Sequence, residues 1–286
     1  MKYALFPGCV LEGAAKESYM ALKKVAPALD LELVEIPNWT CCGASHAQGV
    51  DELALLAINA RNMAIAESMG LPIMTVCNTC TLQLLQAKMK LDSDAKLKEK
   101  VNQILAKSGY EYKGTSEVTH LLWVLASHPN LLEGKITKPL KGLKVAGYYG
   151  CHLLRPYKVM NYEDGKNPES LEKVIRILGA EPVDFDFKLK CCGFHSFFTA
   201  ERDVMIVTGE AVDTAAQAGA DLMVTPCPLC QMQLDMYQPE GRDAVKSNAE
   251  IPVLHLPQLI GLAMGMSKED LGISRHISAV EKVKLG

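Results

Sequence analysis

The sequence predicts an α/β fold in which one domain plan is used twice, each copy built on a parallel sheet. Three observations carry this. The ten cysteines fall at 9, 41, 42, 77 and 80, and again at 151, 191, 192, 227 and 230. Both sets read Gly-Cys, then Cys-Cys-Gly, then Cys-x-x-Cys, with first gaps of 31 and 39 residues and a second gap of 34 in each. Between them, short apolar runs alternate with stretches of helical periodicity, and the runs at 2–6, 73–76, 143–149 and 222–225 each stop at a cysteine motif.

The elements follow in order. Residues 2–6 read as a first strand that runs straight into Gly8-Cys9, with no signal peptide ahead of it. Residues 14–26 have helical character and 31–36 that of a strand. Over 50–69, Leu53, Leu56, Ala57, Ala60, Met63 and Ala64 form a helical stripe, and Gly70 supplies its stop. A short strand at 73–76 leads into Cys77-x-x-Cys80, which opens another helix. Residues 96–107 form a charged amphipathic helix with a solvated face. In the second copy, 143–149 matches the first strand, 201–218 the long helix with Gly219 as its stop, and 222–225 the strand before Cys227-x-x-Cys230. The flanks repeat as well: Gln83-Leu84 follows Cys80 as Gln233-Leu234 follows Cys230, and Val118-Thr119-His120-Leu121 resembles Val253-Leu254-His255-Leu256. The expected domains are 1–135 and 136–286, Rossmann-like in plan, with a linker at 129–142 marked by Pro129, Gly134, Pro139 and Gly142. In such sheets functional groups gather beyond the carboxyl ends of the strands. Cys9, Cys77, Cys151 and Cys227 lie there. Residues 158–168 form a polar loop suited to a partner or substrate.

A chain of 286 residues suits two domains better than one small core. A net charge of −3 provides no broad basic footprint, which argues against a nucleic-acid partner. The apolar stretch at 254–266 contains His255, Pro257 and Gln258 and is too short and polar to span a bilayer. Clustered cysteines without an export signal point to a reducing, cytoplasmic compartment, where they bind metal or do redox work more often than they form structural disulfides. Inert cysteines packing as small hydrophobes would be scattered along the elements, and these are not.

Thiolates are soft ligands that favour zinc, Cu(I) or iron–sulfur clusters. Structural zinc takes four ligands, and a cubane cluster takes four cysteines. Each set here offers five. Five means a cubane with one free reactive thiol, or an unusual cluster with an extra ligand. Zinc in at least one half stays open on spacing alone. A Cys-x-x-Cys at a helix start puts both sulfurs near the positive end of the helix dipole, which favours thiolates. Gly43 and Gly193, lacking side chains, are expected to let backbone approach a cluster closely.

The repeated Cys…Cys-Cys-Gly…Cys-x-x-Cys pattern resembles the CCG cysteine-rich domain, and two copies in one chain resemble the B subunit of heterodisulfide reductase. Gly150-Cys151-His152-Leu153-Leu154-Arg155-Pro156, Ile251-Pro252-Val253-Leu254-His255-Leu256 and Glu111-Tyr112-Lys113-Gly114 carry the likeness. The resemblance implies two noncubane [4Fe-4S] clusters, one held by Cys9, Cys41, Cys42, Cys77 and Cys80 and the other by Cys151, Cys191, Cys192, Cys227 and Cys230. It implies pseudo-twofold domains with the clusters facing each other at the interface, and two-electron reduction of a disulfide, or thiol oxidation, between them, the substrate being the disulfide of coenzyme M and coenzyme B or a related sulfur compound. It further implies the ferredoxin-like C and flavin-bearing A subunits of such a complex as partners, and a small-molecule or protein-bound thiol or disulfide as substrate. The flanks Asn38–Thr40, Ala44–His46 and Phe194–Phe198 resemble sulfur-metabolism members more than methanogen ones. The family also includes subunits of succinate dehydrogenases and quinone-linked complexes, so a non-catalytic electron-transfer role, linking a ferredoxin-like partner to a quinone or flavin enzyme, stands as the alternative.

Outside the cysteines, His152 follows Cys151 and is the candidate proton donor to a leaving thiolate, since imidazole titrates near neutral pH. A plain hydrogen bond to sulfur or backbone is its other reading. His46 and His195, just after the Cys-Cys pairs, are candidates to line the cleft or support it. His120 and His255, at matching repeat positions, are expected to make structural hydrogen bonds, while His128 and His276 carry no signal. Arg155, Lys158, Lys188 and Lys190 could hold an anionic substrate tail, with solvated surface as the alternative for each. The methionines, including Met264 and Met266, read as core filler.

Overall fold

Strand β1 (Lys2–Phe6) buries its last four side chains and pairs in parallel with both β2 (Glu32–Glu35) and β3 (Ile73–Thr75). β4 (Val118–His120) adds to β3, giving the order β2-β1-β3-β4. The second half repeats this with β5 (Lys144–Gly147), β6 (Glu181–Val183), β7 (Leu222–Thr225) and β8 (Val253–His255), in the order β6-β5-β7-β8 and again all parallel. The identity of the two orders is the structural form of the sequence repeat. This is a computed structural model, and it describes residues 1–44, 47, 49–278 and 280.

The crossovers of the first half are α1 (Cys9–Glu12), α2 (Lys16–Ala28), α3 (Glu52–Met69), α4 (Asn78–Ser93), α5 (Ala95–Ala106) and α6 (Leu121–Ser127). Those of the second are α7 (Tyr157–Met160), α8 (Ser170–Ile177), α9 (Glu201–Gln217), α10 (Pro228–Met236), α11 (Gln238–Val245) and α12 (Leu256–Ala263). The long helix expected from Val50 begins two residues later because Asp51 caps it, its side chain accepting from the Ala54 N–H at 3.0 Å. It stops where expected, at Gly70, which takes a left-handed φ of 66°. His120 and His255 both cap helices. His120 Nδ1 accepts from the Leu122 N–H at 3.0 Å, and His255 forms a reciprocal box with Gln258 at the start of α12. The expected structural role of these two histidines is therefore what the fold uses. α9 and α11 cross closely enough that a Cβ on Gly209 would sit 2.1 Å from the Gly241 carbonyl oxygen.

The halves are fastened at several points. The region expected as a linker begins with a single turn at Pro129–Leu131. Its remainder is tied down on both sides: Lys135 Nζ donates to Ala28 O at 2.8 Å, and the Lys138 N–H to Ala263 O at 2.9 Å. α2 packs on α12, α6 on α8, and α4 on α7. Between α2 and the second half, buried Glu17 accepts from His255 Nε2 and Arg275 Nε, each at 3.2 Å. Beside them, His276 lies against Asp235 and Gln258.

This buried group predicts an acid-sensitive domain boundary. Burial works to raise the Glu17 pKa, but hydrogen bonds from His255 and Arg275 outweigh it, and the net shift is downward. Burial, the largest effect, lowers the His255 pKa against the raising influence of Glu17. Asp235, bonded to His276 and Ser278, is also lowered against its burial. For all three groups the unfolded chain binds protons first as pH falls. Stability is full above the unfolded histidine pKa of about 6.5 and drains as pH drops through the carboxylate range near about 4. Glu17→Gln is expected to lose about 1–3 kcal/mol at neutral pH, the range for a hydrogen-bonded charged group. It should also flatten the acid limb, read by urea denaturation at a series of pH values. An unchanged acid limb would count against this assignment.

Candidate metal-cluster site at the domain boundary

Each cysteine is set by the end of a strand or the start of a helix. Cys9 opens α1 just beyond β1, and Cys77 is the N-cap of α4 with Cys80 in its first turn. Cys151 follows β5, and Cys227 is the N-cap of α10 with Cys230 one turn on. The Cys41-Cys42 and Cys191-Cys192 pairs arrive on loops that follow the edge strands β2 and β6. All ten are free thiols. In the first set Cys9 and Cys41 lie 3.5 Å apart, and Cys42 and Cys80 3.6 Å apart, sulfur to sulfur. This set lines an apolar cavity of about 230 Å³, shared with Phe194, His195 and Leu229 of the second half. Among the described residues no three ligands converge at the spacing of a single ion. The thiols surround a space instead.

The two sets meet. Cys77 and Cys227, both buried, face each other across the boundary closely enough that each shifts the other's pKa. Crowding governs their protonation. Hydrogen bonding with Cys41, then burial, holds Cys9 well above the usual thiol range, and Cys42 is pushed up to about 11, chiefly by its bond with Cys41. Cys80, Cys151, Cys192 and Cys230 are raised for the same reasons: bonds to neighbouring thiols first, then burial. Cys191 is lowered by bonds from Cys151 and Cys192, and Cys227 is lowered, against its burial, by bonds from Cys230 and Cys77. A few thiolates are thus stabilised by protonated neighbours. All can ionise together only if positive charge enters among them. Five thiols around an apolar space fit an iron–sulfur cluster, whose irons bring that charge.

The glycines support the fit, with one correction. Gly43 and Gly193 do bring backbone to sulfur, donating N–H to Cys41 Sγ at 3.5 Å and to Cys191 Sγ at 3.4 Å. Their missing side chains, however, make room for α3 and α9. A Cβ would strike Ile58 at 2.7 Å from Gly43, and Val204 at 2.9 Å from Gly193. The glycines whose Cβ would strike sulfur are Gly8, 2.9 Å from Cys80 Sγ, and Gly150, 2.8 Å from Cys230 Sγ. Both have positive φ, 75° and 70°.

His152 is half-buried, and its Nδ1 lies 2.9 Å from Thr79 Oγ1. The same hydroxyl is 3.2 Å from His195 Nε2, and the two imidazoles stack with centroids 5.0 Å apart. Burial lowers the His152 pKa. His46 lies outside the described residues. The expected anion-holding side chains are engaged elsewhere. Arg155 donates to the Leu189 carbonyl, Lys188 pairs with Asp184 at 2.7 Å and Glu172 at 3.3 Å, and Lys190 sits 3.8 Å over the Phe187 ring. None of these, nor Lys158, lines the sulfur cavity. Sequence reading missed Asn78, which donates to Tyr149 O across the boundary at 2.8 Å, and Asn59, which donates to Cys42 O at 3.0 Å. It also missed Thr79. The signal for Asn78 and Thr79 was their place inside a Cys-x-x-Cys motif. Asn59 gave none.

A family model described as a cysteine-rich domain, CCG, matches residues 3–85 and 145–235. The chain belongs to the CCG cysteine-rich domain family. Among its CCG relatives is a chain 50% identical over 285 residues, covering 100% of this chain and 99% of the other, the 8-methylmenaquinol:fumarate reductase membrane anchor subunit of Wolinella succinogenes. The B subunit of a ferredoxin/F(420)H(2)-dependent CoB-CoM heterodisulfide reductase from Methanosarcina acetivorans is 36% identical, covering 96% and 93%. A protein from Archaeoglobus profundus, described as like the B subunit of heterodisulfide reductase, is 35% identical, covering 94% and 92%. The chain is thus a homologue of the heterodisulfide reductase B subunit. A crystal structure of a hypothetical protein from Helicobacter pylori matches with a TM-score of 0.81 at 17% identity, covering 98% of this chain and 52% of that one, about half its length. It shares the fold. Among the described residues no helix is long and apolar enough to cross a membrane.

The glycine cradles give a direct test. Gly8→Ala and Gly150→Ala are each expected to lower bound iron by about half in anaerobically purified protein, since each half would hold its own cluster. Gly134→Ala, also at positive φ but with nothing within 4 Å, is the control and should retain full iron. Equal iron in all three would show that these cradles do not face a cluster.

Proposed function

We propose that this chain is the iron–sulfur electron-transfer subunit of a quinol-linked reductase, with one [4Fe-4S] cluster, noncubane in type, held in each half. Cys9, Cys41, Cys42, Cys77 and Cys80 would hold one cluster, and Cys151, Cys191, Cys192, Cys227 and Cys230 the other. When bound, such clusters supply one-electron redox centres. The observation that carries the reading is the meeting of the two thiol sets at Cys77 and Cys227. The protein's own contribution is to keep that junction dry and fixed. Phe194 and Leu229 line the first set's cavity, and Thr79 ties His152 and His195 across the boundary. The 50% identity to one component of a methylmenaquinol:fumarate reductase supports the choice of a quinol-linked complex. A ferredoxin-like and a flavin-bearing protein are the partners this reading calls for.

Among the described residues, no lysine or arginine lines the sulfur cavity, which weighs against an anionic disulfide as substrate, because nothing there would neutralise its charge. Thiol–disulfide chemistry remains the second reading, favoured by 34–36% identity to heterodisulfide reductase B subunits over nearly the whole chain. In that case His152 would be the proton donor.

Turnover separates the two. Purified anaerobically, the chain should carry about eight irons. Added to a reductase complex stripped of this component, it should restore quinol-dependent reduction of the acceptor. It should also fail to reduce disulfides with a reduced viologen dye. Viologen-driven disulfide reduction that Cys227→Ser abolishes would replace the relay with the thiol–disulfide reading.

A further inference from the structure

A second cleft, apart from the sulfur site, lies at the opposite end of the first sheet. The N-terminal ends of β1, β3 and β4, helix α6, α7 and the polar loop after it line an open cleft of about 430 Å³. Tyr3, Glu117, Thr119, Trp123 and Ser127 line it from the first half, and Val159–Tyr162 from the second. The Tyr162 ring stacks on the Trp123 indole, 5.0 Å between centroids at 14°. That stack is pinned, because Tyr162 Oη donates to Trp123 O at 3.0 Å and also bonds the Ser127 hydroxyl at 2.8 Å. Nothing in the sulfur site requires this arrangement.

Three features define what the cavity would accept. Its size suits a ligand of one or two fused rings. Tyr3 and Thr119 add two hydroxyls, so the lining is rich in donors. The charged residue of the lining is Glu117, close enough to Tyr3 to help raise its pKa behind the larger effect of burial, and it disfavours anions. A donor-rich, aromatic, anion-repelling space selects a neutral flat ring that carries carbonyl acceptors. The cavity is also connected to the sulfurs. The Trp123 ring meets the His120 ring edge-on at 6.1 Å, and His120 lies within electrostatic reach of Cys227.

We infer that this cleft binds a neutral, planar, carbonyl-bearing ring of the naphthoquinone type, lying against the Trp123 and Tyr162 rings. This rests on the quinol-linked reading and names the place where the head group would sit. Redox turnover forms no part of the inference, so binding tests it alone.

The chain has two tryptophans, Trp39 and Trp123. Trp39→Phe therefore leaves Trp123 as the sole indole of the full-length protein. Titration with a dimethylnaphthoquinone, whose two methyls block addition of thiols to the ring, should quench its emission saturably at micromolar concentration. In equilibrium dialysis, Tyr162→Leu removes the exposed ring of the stacked pair and should weaken binding about tenfold, or ~1.4 kcal/mol. Ser127→Phe, at an exposed edge of the cavity, should abolish binding while iron content and circular dichroism stay those of the parent. Saturable binding of lumiflavin or choline in place of the quinone would overturn the inference, as would quinone binding unaffected by both substitutions, or none at all. Binding that survives while the complex shows no quinol-dependent turnover would sustain the cavity and sink the functional reading. The converse would do the opposite.

Discussion

The constraint on which the rest of the structure depends is electrostatic. Five thiols in each half are drawn so close that most cannot ionise in the protein alone. The cause is mutual: each sulfur that keeps its proton stabilises a neighbour that loses one. A fold that pays this cost at seven of its ten cysteines needs rigid supports, and parallel strands with short crossovers provide them. Cys9, Cys77, Cys151 and Cys227 stand where four buried strands end, and the two helices begun by Cys77 and Cys227 direct their N-terminal dipoles at the same junction. The Gly8 and Gly150 backbones then close the cradle, because any Cβ there would occupy the space of a sulfur.

The duplication is complete in topology and broken in chemistry, and the break is concentrated at the two residues inside each Cys-x-x-Cys. In the first half they are Asn78 and Thr79, which reach across to Tyr149 O and to the His152 and His195 rings. In the second they are Pro228 and Leu229. Pro228 suits the first turn of α10, where its missing N–H has no partner to lose, and Leu229 lines the cavity of the first set. One motif thus supplies polar fastening and the other apolar lining, and each acts on the opposite half. A pair of identical domains would lack this division, which gives the two cysteine sets different surroundings.

What the sequence disclosed followed the strength of each physical signal. The strand at 2–6 was legible because its burial is continuous, and the helix ending at Gly70 because it is long and closed by a glycine, although its burial follows no single face and is unbroken over 62–66. The ten cysteines were legible because their spacing repeats. β4, β6 and β8 were not identified as strands, since three residues are too few to show a period, and their place is fixed only by pairing. Gly43 and Gly193 were read as facing sulfur because they adjoin cysteines, but their φ and their contacts are set by α3 and α9. The anchoring of Glu17 by His255 and Arg275 joins residues more than two hundred positions apart, and no local pattern marks it. His276 gave no signal for the same reason, yet it is held by Gln231, Gln258 and Asp235.

These long-range fastenings bear on function as well as stability. Electron transfer between two centres depends steeply on their separation, so under the proposed relay reading a chain built on two sheets works only if their boundary stays closed. Here the boundary is held on three sides: by Glu17 with His255 and Arg275, by Thr79 and Asn78 beside the sulfurs, and by the Trp123–Tyr162 stack at the far end. The segment joining the halves, pinned through Lys135 and Lys138, adds no slack. A mechanism that admitted a bulky charged substrate between the sets would need at least one of these fastenings to yield and a cation to receive the charge. The side chains that could supply the cation are committed to Leu189 O, to Asp184 and Glu172, and to the Phe187 ring. Under the electron-transfer reading, a junction whose cavity is lined, among the described residues, by no lysine or arginine favours passage of electrons over passage of anionic molecules.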